Sequence, residues 1–284
     1  TVVLITGSGP QDRDESIFGH KPFWILADHL TRNGISVLRF DDRGVAKSTG
    51  NHATATTADF AEDVAGAVQF LSTNKKVGKI GLIGHSEGGI IAPIVAVADP
   101  KIAFIVLLAG PAFSGKEILF KQGADIIKAA GGSEADLKMV KDLQTKIFEM
   151  VERDAETKDI MKAAEDFVGT LSEKDRKLFL EQGGMNNLRQ ITTPWFRAFI
   201  KYDPRPTLQK VKCPVLALVG ELDIQVNPKT NIPELEKTLK ASGNADYTVK
   251  ELPKLNHIFQ TAKTGQLNEY GQLEETISPI ALQT

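Results

Sequence analysis

The chain has 284 residues, of which 42% are hydrophobic and 25% are charged, and its formal net charge is -2. This length and composition predict one large globular domain with an insertion, and a near-neutral charge without a sustained basic run argues against a nucleic-acid partner. The longest apolar stretch, residues 90–113, is broken by Asp99-Pro100-Lys101, so it predicts a helix and then a strand rather than a membrane span. The single cysteine, Cys213, excludes an internal disulfide.

The first predicted element is a short buried strand, Val2–Thr6, which leads into the loop Gly7-Ser8-Gly9-Pro10-Gln11. Glycines in such a loop let the backbone approach a substrate. A strand followed by Gly-x-Gly also begins dinucleotide-binding folds, but a third glycine is missing and the loop continues through charged residues instead of opening a helix. No Gly-Lys-Ser or Gly-Lys-Thr follows, which argues against a phosphate-binding P-loop.

Strands and helices alternate after this loop. The first helix is predicted over residues 22–33, with Trp24, Ile25, Leu26 and Leu30 at its apolar positions. Further helices are predicted over residues 57–72 and 90–97, and strands over residues 35–40, 80–83, 102–108, 214–219 and 247–252, the last with the alternation of an edge strand. This order predicts an α/β fold with a mostly parallel, doubly wound sheet flanked by helices.

A charged turn, Asp41-Asp42-Arg43-Gly44, follows the second predicted strand. Carboxylates beside an arginine at a strand end favour a structural role, and no histidine or cysteine lies at a spacing typical of zinc ligands. We therefore predict no metal site at this turn. Contacts from Arg13 or Arg43 to an anionic substrate are the alternative.

The most informative motif is Gly84-His85-Ser86-Glu87-Gly88, which joins an apolar strand to a small-residue helix. A strand that turns into a helix this abruptly forces strained backbone angles at the serine and needs glycines beside it, as in a nucleophile elbow. The serine Oγ is then exposed at the carboxyl end of the sheet, next to free N–H groups that begin the helix. The motif predicts Ser86 as the nucleophile of an acyl transfer. The alternative is a glycine-rich turn that contains a serine by chance.

A nucleophilic serine needs a base and a third group that orients the base. In an α/β sheet with a nucleophile elbow, the acid and then the histidine follow the serine in the chain. The strand over residues 214–219 ends in Gly220-Glu221-Leu222-Asp223, and we predict Asp223 as the acid, with Glu221 as its competitor. After the last strand, His257 is the predicted base. The alternatives are an aspartate that caps a turn and an ordinary loop histidine. Other histidines fit the role poorly: His20, His29, His52 and His85.

Two backbone N–H groups should hold the oxyanion of the tetrahedral intermediate. Glu87, directly after the nucleophile, supplies one of them. Ser8 in the first loop is the predicted second donor, and its neighbours Gly9 and Gln11 could share the task. Contacts to the substrate are predicted for residues near the nucleophile and at the end of the insertion, namely Gly9, Gln11, His85, Trp195 and Phe196.

Residues 113–193 predict long amphipathic helices and no strand, with apolar residues at helical spacing from Leu137 to Met150. An insertion at this point of the chain would lie over the carboxyl ends of the strands and so above Ser86. We therefore predict a core of residues 1–112 and 194–284 and a helical cap, residues 113–193, that shapes the substrate pocket. The alternative is that Met and Phe residues of this segment only fill its own small core.

These motifs resemble those of the serine α/β-hydrolases, and more closely a group of bacterial carboxylesterases in the dienelactone-hydrolase and serine-aminopeptidase-like branch. The resemblance extends along the chain except over roughly residues 113–193. It implies hydrolysis of small-molecule carboxylic esters by a Ser-His-Asp mechanism without a metal or a cofactor. The matching segments are Gly7-Ser8-Gly9-Pro10 with Asp12-Arg13-Asp14, the charged turn with Ser48, the elbow with Gly89, Gly220-Glu221-Leu222-Asp223, and Asn256-His257.

Folds of this kind normally begin with one or two antiparallel strands, for which there is no room before residues 2–6, and the chain begins with Thr1 rather than Met. We therefore expect a fragment or a processed product of a longer precursor. We also expect a soluble protein, either cytoplasmic or, if a removed signal peptide preceded Thr1, exported to the periplasm. The sequence does not indicate an oligomeric state.

Three other functions stay open because a fold does not determine a function. A peptidase or amidase could use the same three residues, although the predicted cap has no clear acidic pair for a substrate amino terminus. A lyase or transferase would form product without net hydrolysis. A non-catalytic binding module would have no need of Ser86, Asp223 and His257 together.

Overall fold

The computed structural model describes residues 1–129, 131–173, 176–177 and 190–284. Its strands are β1 (Val2–Ile5), β2 (Val37–Leu38), β3 (Ile80–His85), β4 (Ile102–Leu108), β5 (Val215–Gly220) and β6 (Tyr247–Leu252). They form one sheet in the order β2-β1-β3-β4-β5-β6, and each neighbouring pair is parallel. The predicted α/β class, its doubly wound parallel sheet and the position of residues 247–252 at an edge are confirmed.

Helices cover the two faces of the sheet, and the described residues between β4 and β5 also form helices. None of the described helices is long and apolar enough to cross a membrane. They are α1 (Pro22–Arg32), α2 (Thr57–Ser72), α3 (Gly88–Ala98), α4 (Gly115–Ala129), α5 (Glu134–Glu152), α6 (Thr157–Thr170), α7 (Pro194–Lys201), α8 (Arg205–Leu208), α9 (Pro228–Ala241), α10 (Leu267–Tyr270) and α11 (Pro279–Gln283).

The two faces of the central strands bury different side chains because side chains alternate along a strand. Val3 and Leu82 are buried on one face, in a cluster to which α2, α3 and α9 contribute. Leu4 and Ile83 are buried on the other face, where Phe23 of α1 joins them. Parallel strands that are covered on both faces are apolar nearly throughout, and β1 and β3 have this character.

The structure corrects the predicted buried face of α1. Phe23 is buried, whereas Trp24, a predicted apolar position, is 54% exposed. Leu26 and Leu30 pack with Phe23 against the sheet, so the apolar stripe follows these three residues. Trp24 is rotated by about 100° from Phe23 around the helix axis. Its ring is covered instead by the guanidinium of Arg39, which lies 5.3 Å from the ring centroid.

The second strand is shorter than predicted, since β2 contains Val37–Leu38 and not residues 35–40. It lies at the edge of the sheet and pairs with β1. Beyond Leu38 the chain turns towards the loop after β1, where the N–H of Asp42 donates to the carbonyl oxygen of Gln11 at 3.0 Å. This contact places the charged turn beside the residues that follow β1.

Between β4 and β5 the described residues form helices and no strand, as predicted for the cap. α5 and α6 share a separate core that includes Ile147, Val151 and Ile160. Phe196 and Ile200 of α7 belong to the same core, although the predicted border between cap and core precedes α7. Residues 130, 174–175 and 178–189 of the predicted cap lie outside the described residues, and the boundaries of the cap stay a prediction.

The turn between β3 and α3 brings backbone segments into close contact. Ser86 has a φ of 51°, a left-handed conformation that is strained for a residue with a side chain. A Cβ added at Gly84 would lie 2.0 Å from the carbonyl oxygen of Gly88, and one added at Gly88 would lie 2.2 Å from that of Ile5. Both positions therefore require glycine.

We predict that Gly88→Ala lowers the free energy of unfolding by about 3 kcal/mol, because the added methyl group overlaps the Ile5 carbonyl of β1. Gly66→Ala is the matched control. Gly66 is exposed in α2, and an added Cβ meets nothing within 4 Å outside its own helix, so this change should stabilise the protein by roughly 0.5–1 kcal/mol. Urea unfolding measures both values, and equal stability of the two variants would contradict the close packing at the elbow.

Candidate active site

The predicted site residues meet at the carboxyl end of the sheet. Ser86 follows β3, Asp223 follows β5 and His257 follows β6. A cavity of about 360 Å³ opens at this edge between the ends of the strands and α4 and α7. Gly9, which has a φ of 97°, belongs to the loop after β1 but does not line the cavity. Predicted residues that line it are Ser8, Gln11, His85, Ser86, Glu87, Trp195, Phe196 and His257.

The backbone around Ser86 holds the residue in place. Its N–H donates to the carbonyl of Leu108, the last residue of β4, at 2.8 Å, and its carbonyl accepts the N–H of Gly89 at 2.9 Å. α3 begins at Gly88, so free N–H groups start just after the serine. A negative charge that forms beside Ser86 would therefore lie at the positive end of the helix.

His257 and Asp223 are in direct contact. Nδ1 of His257 lies 2.8 Å from Oδ2 of Asp223, and both residues are buried. Since a carboxylate oxygen accepts, Nδ1 carries the hydrogen, and Nε2 is left to accept one. The other oxygen of Asp223, Oδ1, accepts the N–H groups of Gln225 and Val226, each at 2.8 Å. These bonds fix the carboxylate, which in turn orients the imidazole ring.

Glu221, the competing candidate for the acid, has a different environment. It is exposed, and its Oε2 accepts the N–H of Lys254 at 2.8 Å. Asp223, in contrast, is 2% exposed and bonds the histidine. The structure therefore brings Asp223, and not Glu221, to His257.

The sequence did not single out Glu15, which is buried at the site although it ends a run of charged residues. Its Oε1 accepts the N–H of Gly7 at 2.7 Å and lies 2.8 Å from Nδ1 of His85. Nε2 of His85 bonds the carbonyl oxygen of His257 at 3.0 Å. Burial favours the neutral ring, but the charge and hydrogen bond of Glu15, with the carbonyl bond, raise the pKa of His85 above its ordinary value. Both ring nitrogens of His85 are thus bonded within the protein.

The side chain of Glu87 connects the elbow to two helices. Its Oε1 accepts from Oγ1 of Thr57 in α2 at 2.6 Å and from Nε1 of Trp195 in α7 at 2.8 Å. Trp195 also stacks on Phe199, with ring centroids 5.0 Å apart and 16° between the ring planes. The tryptophan is therefore a fixed wall of the cavity. Its bond to Glu87 joins residues 108 positions apart, which no local sequence pattern reveals.

Buried polar contacts hold the loop after β1. Asp42 accepts the N–H of Gln11 at 2.9 Å and the hydroxyl of Thr6 at 2.8 Å, and burial raises the pKa of Asp42 to about 6. Asp41 accepts from Nε and Nη2 of Arg13 at 3.0 and 2.6 Å. This guanidinium holds the pKa of Asp41 well below its usual value. The charged turn has the structural role that the sequence predicted.

The arginines considered for an anionic substrate are already paired. Nε and Nη2 of Arg43 donate to the two carboxylate oxygens of Asp63 at 2.7 and 2.9 Å, and Arg13 is bonded to Asp41. Neither arginine lines the cavity. Within the described ranges, no group of three or more His, Cys, Asp or Glu side chains could hold a metal ion.

Known proteins with similar sequences or structures include esterases. The chain is 34% identical to esterase EstD of Thermotoga maritima over 121 residues, which are 43% of this chain but only 29% of that protein. The fold is similar to that of an esterase from Pyrococcus furiosus, with a TM-score of 0.55 and 19% identity over 89% of this chain and 73% of that one. A monoacylglycerol lipase of Paleococcus ferrophilus has a TM-score of 0.53 and 19% identity over 95% of this chain and 90% of its own.

A family model described as serine aminopeptidase, S33, matches residues 23–261, which are most of the chain. The matched range contains the elbow, Asp223 and His257, while Ser8 and Glu15 precede it. The six parallel strands and the helices inserted after β4 are those of the α/β-hydrolase fold. The chain belongs to the serine aminopeptidase S33 family of α/β-hydrolases, as the resemblance of its motifs predicted.

Proposed function

We propose that this chain is a carboxylic ester hydrolase in which Ser86 forms an acyl-enzyme, His257 is the general base and Asp223 orients the base. The 2.8 Å bond between Nδ1 of His257 and Oδ2 of Asp223 is the main support, because it leaves Nε2 of the ring to take a proton. Ser86 and His257 line the same cavity. Relatives named as esterases, from T. maritima and P. furiosus, favour the same chemistry.

The proposed reaction has two halves. Nε2 of His257 takes the proton of Ser86 Oγ as Oγ attacks the ester carbonyl, and the carboxylate of Asp223 stabilises the resulting imidazolium. The imidazolium gives this proton to the alcohol as it leaves, and the acyl group stays on Ser86. Water then attacks the acyl-enzyme, with His257 taking and returning its proton, and the acid is released. No step requires a metal or a cofactor.

The N–H groups of Glu87 and Ser8 are the proposed oxyanion donors. Glu87 directly precedes α3, and both residues line the cavity beside Ser86. A Cβ added at Gly7 would lie 3.2 Å from Cβ of Ser86, so the loop after β1 passes next to the nucleophile. Donors from two separate backbone segments can therefore reach one developing charge.

An ester suits the described part of the cavity better than a peptide with a free amino terminus. An aminopeptidase needs an uncommitted carboxylate to pair with the buried ammonium group of its substrate. The carboxylates among the described lining residues are Glu15 and Glu87, and both accept hydrogen bonds from the protein. We therefore assign a neutral ester as the substrate. Apart from Ser8, Ser86, His85 and His257, the other described lining side chains are apolar or amides and include Ile118, Leu119, Gln122, Phe199 and Gln225.

Residues 113–193 are assigned to a cap that shapes the acyl or alcohol pocket. α4 contributes Ile118 and Leu119 to the lining of the cavity. Trp195 and Phe196 line it where the chain returns from the segment. Changes in this wall should alter the preference among esters more than the rate of the chemical step.

Ser86→Ala should lower kcat/KM for p-nitrophenyl acetate by about 10⁴-fold or more, because it removes the nucleophile. Asp223→Asn should lower kcat by about 10³–10⁴-fold, since the neutral amide no longer stabilises the imidazolium. Glu221→Gln is the matched control and should stay within about twofold of the unmodified chain. Release of p-nitrophenolate measures all three rates.

A Ser86→Ala protein that keeps its activity would rule out the proposed nucleophile. Similar losses in Asp223→Asn and Glu221→Gln would reject Asp223 as the acid. The same proteins should be assayed with aminoacyl p-nitroanilides. Faster turnover of these amides than of the esters would make the chain a peptidase on the same three residues.

Trp195→Ala should shift the preference towards longer acyl chains, because it removes the wall that is fixed by Glu87 and Phe199. The ratio of kcat/KM for p-nitrophenyl octanoate to that for the acetate should rise about tenfold. Trp24→Ala is the matched control, since Trp24 is exposed on α1 and should leave the ratio unchanged. An unchanged ratio in Trp195→Ala would show that this side chain does not limit the pocket.

A further inference from the structure

We infer that Glu15 and His85 form a buried ion pair, which positions the loop after β1 relative to the loop after β6 that carries His257. This inference rests on the ester hydrolysis proposed above. Oε1 of Glu15 lies 2.7 Å from the N of Gly7 and 2.8 Å from Nδ1 of His85. Nε2 of His85 lies 3.0 Å from the carbonyl oxygen of His257. Three consecutive hydrogen bonds therefore join the two loops through His85, the residue before Ser86.

The partners of the His85 ring determine its protonation state. A backbone carbonyl oxygen can only accept, so Nε2, which faces the carbonyl of His257, carries a hydrogen. Oε1 of Glu15 already accepts the N–H of Gly7, and its second lone pair is placed to accept a hydrogen from Nδ1. Nδ1 therefore carries a hydrogen as well. His85 is an imidazolium, paired with Glu15.

The surroundings of the pair strengthen this charge state. Burial by itself disfavours the charged ring, but because Glu15 is 3% exposed and His85 is 7% exposed, water also screens their attraction little. Among the described residues, the titratable groups that face the ring are Glu15, Asp223 and His257. Two of these are carboxylates that favour the imidazolium, and the ring of His257 has its centroid 4.9 Å away. The apolar ring of Phe259 covers His85 at its edge, with centroids 6.4 Å apart.

The two loops that the pair joins carry separate parts of the proposed machinery. Gly7 directly precedes Ser8, a proposed oxyanion donor, and its bonded N–H fixes the peptide before that donor. The bonded carbonyl of His257 fixes the backbone from which the imidazole projects. A shift of about 1 Å in such groups lowers rates by on the order of 100-fold. Glu15 and His85 are positioning residues, because they act through Gly7 and His257.

Three near-isosteric variants separate the charge from the individual bonds. Glu15→Gln keeps an acceptor oxygen but removes the charge, His85→Asn keeps an amide near the place of Nδ1, and His85→Gln keeps one near the place of Nε2. Each should lower kcat for p-nitrophenyl acetate about 10- to 100-fold and change KM by less than about threefold. The double variant Glu15→Gln with His85→Gln should be no slower than the slower single variant. Folded variants with the unmodified kcat would overturn the positioning role.

Glu221→Gln is the charge-matched control for Glu15→Gln, because this exposed carboxylate lies outside the network and bonds only a backbone N–H of Lys254 among the described contacts. It should leave kcat and KM within about twofold. Circular dichroism and urea unfolding of each variant show whether it is folded, so a low kcat is read only from folded protein.

The protonation of His85 gives a readout that does not depend on activity. In protein labelled with ¹⁵N-histidine, both ring nitrogens of His85 should carry protons at neutral pH. An ordinary histidine, whose pKa is about 6.5, is mostly singly protonated at that pH. In Glu15→Gln one proton should be lost, and His85→Asn identifies the signals. A singly protonated His85 in the unmodified chain would overturn the ion pair even in an active esterase. A doubly protonated ring in an inactive chain would support the pair and reject the proposed function.

Discussion

Backbone crowding at the turn between β3 and α3 determines where the site forms. Ser86 takes its left-handed conformation because the strand ends and the helix begins within three residues, while the Ile5 carbonyl of β1 fills the place of a side chain at Gly88. The N–H of Ser86 is bonded to Leu108 of β4, so two neighbouring strands hold the strained residue. The serine therefore projects from the carboxyl end of the sheet, where the loops after β1, β5 and β6 also lie.

The residues on either side of the serine connect this turn to the rest of the molecule. His85 bonds Glu15 and the carbonyl of His257, which belong to the loops after β1 and β6. Glu87 bonds Thr57 and Trp195 on two helices. Buried charged groups are stable only with such partners. The side chains at positions 85 and 87 thus serve the structure, which leaves the backbone N–H of Glu87 and the Oγ of Ser86 for the proposed chemistry.

Local patterns predicted the sheet, the elbow and the positions of Asp223 and His257, because periodicity and chain order depend on neighbours in sequence. They did not reveal Glu15, since a carboxylate that follows Asp12-Arg13-Asp14 is typical of an exposed loop and its partner lies 70 residues away. The exposure of Trp24 was not predicted either, because it also depends on a residue that is distant in the sequence. A contact with Arg39, on another element, replaces the expected burial in the core.

Ser86 is the centre of the proposed reaction, and covalent labelling tests it most directly. A fluorophosphonate should add one group to each chain, and peptide mapping by mass spectrometry should locate that group on Ser86, because a serine reacts in this way only when a neighbouring base activates it. Loss of ester hydrolysis should follow the same time course as labelling. A folded protein that hydrolyses esters while Ser86 stays unmodified, or that is labelled at another residue, would contradict the proposed mechanism.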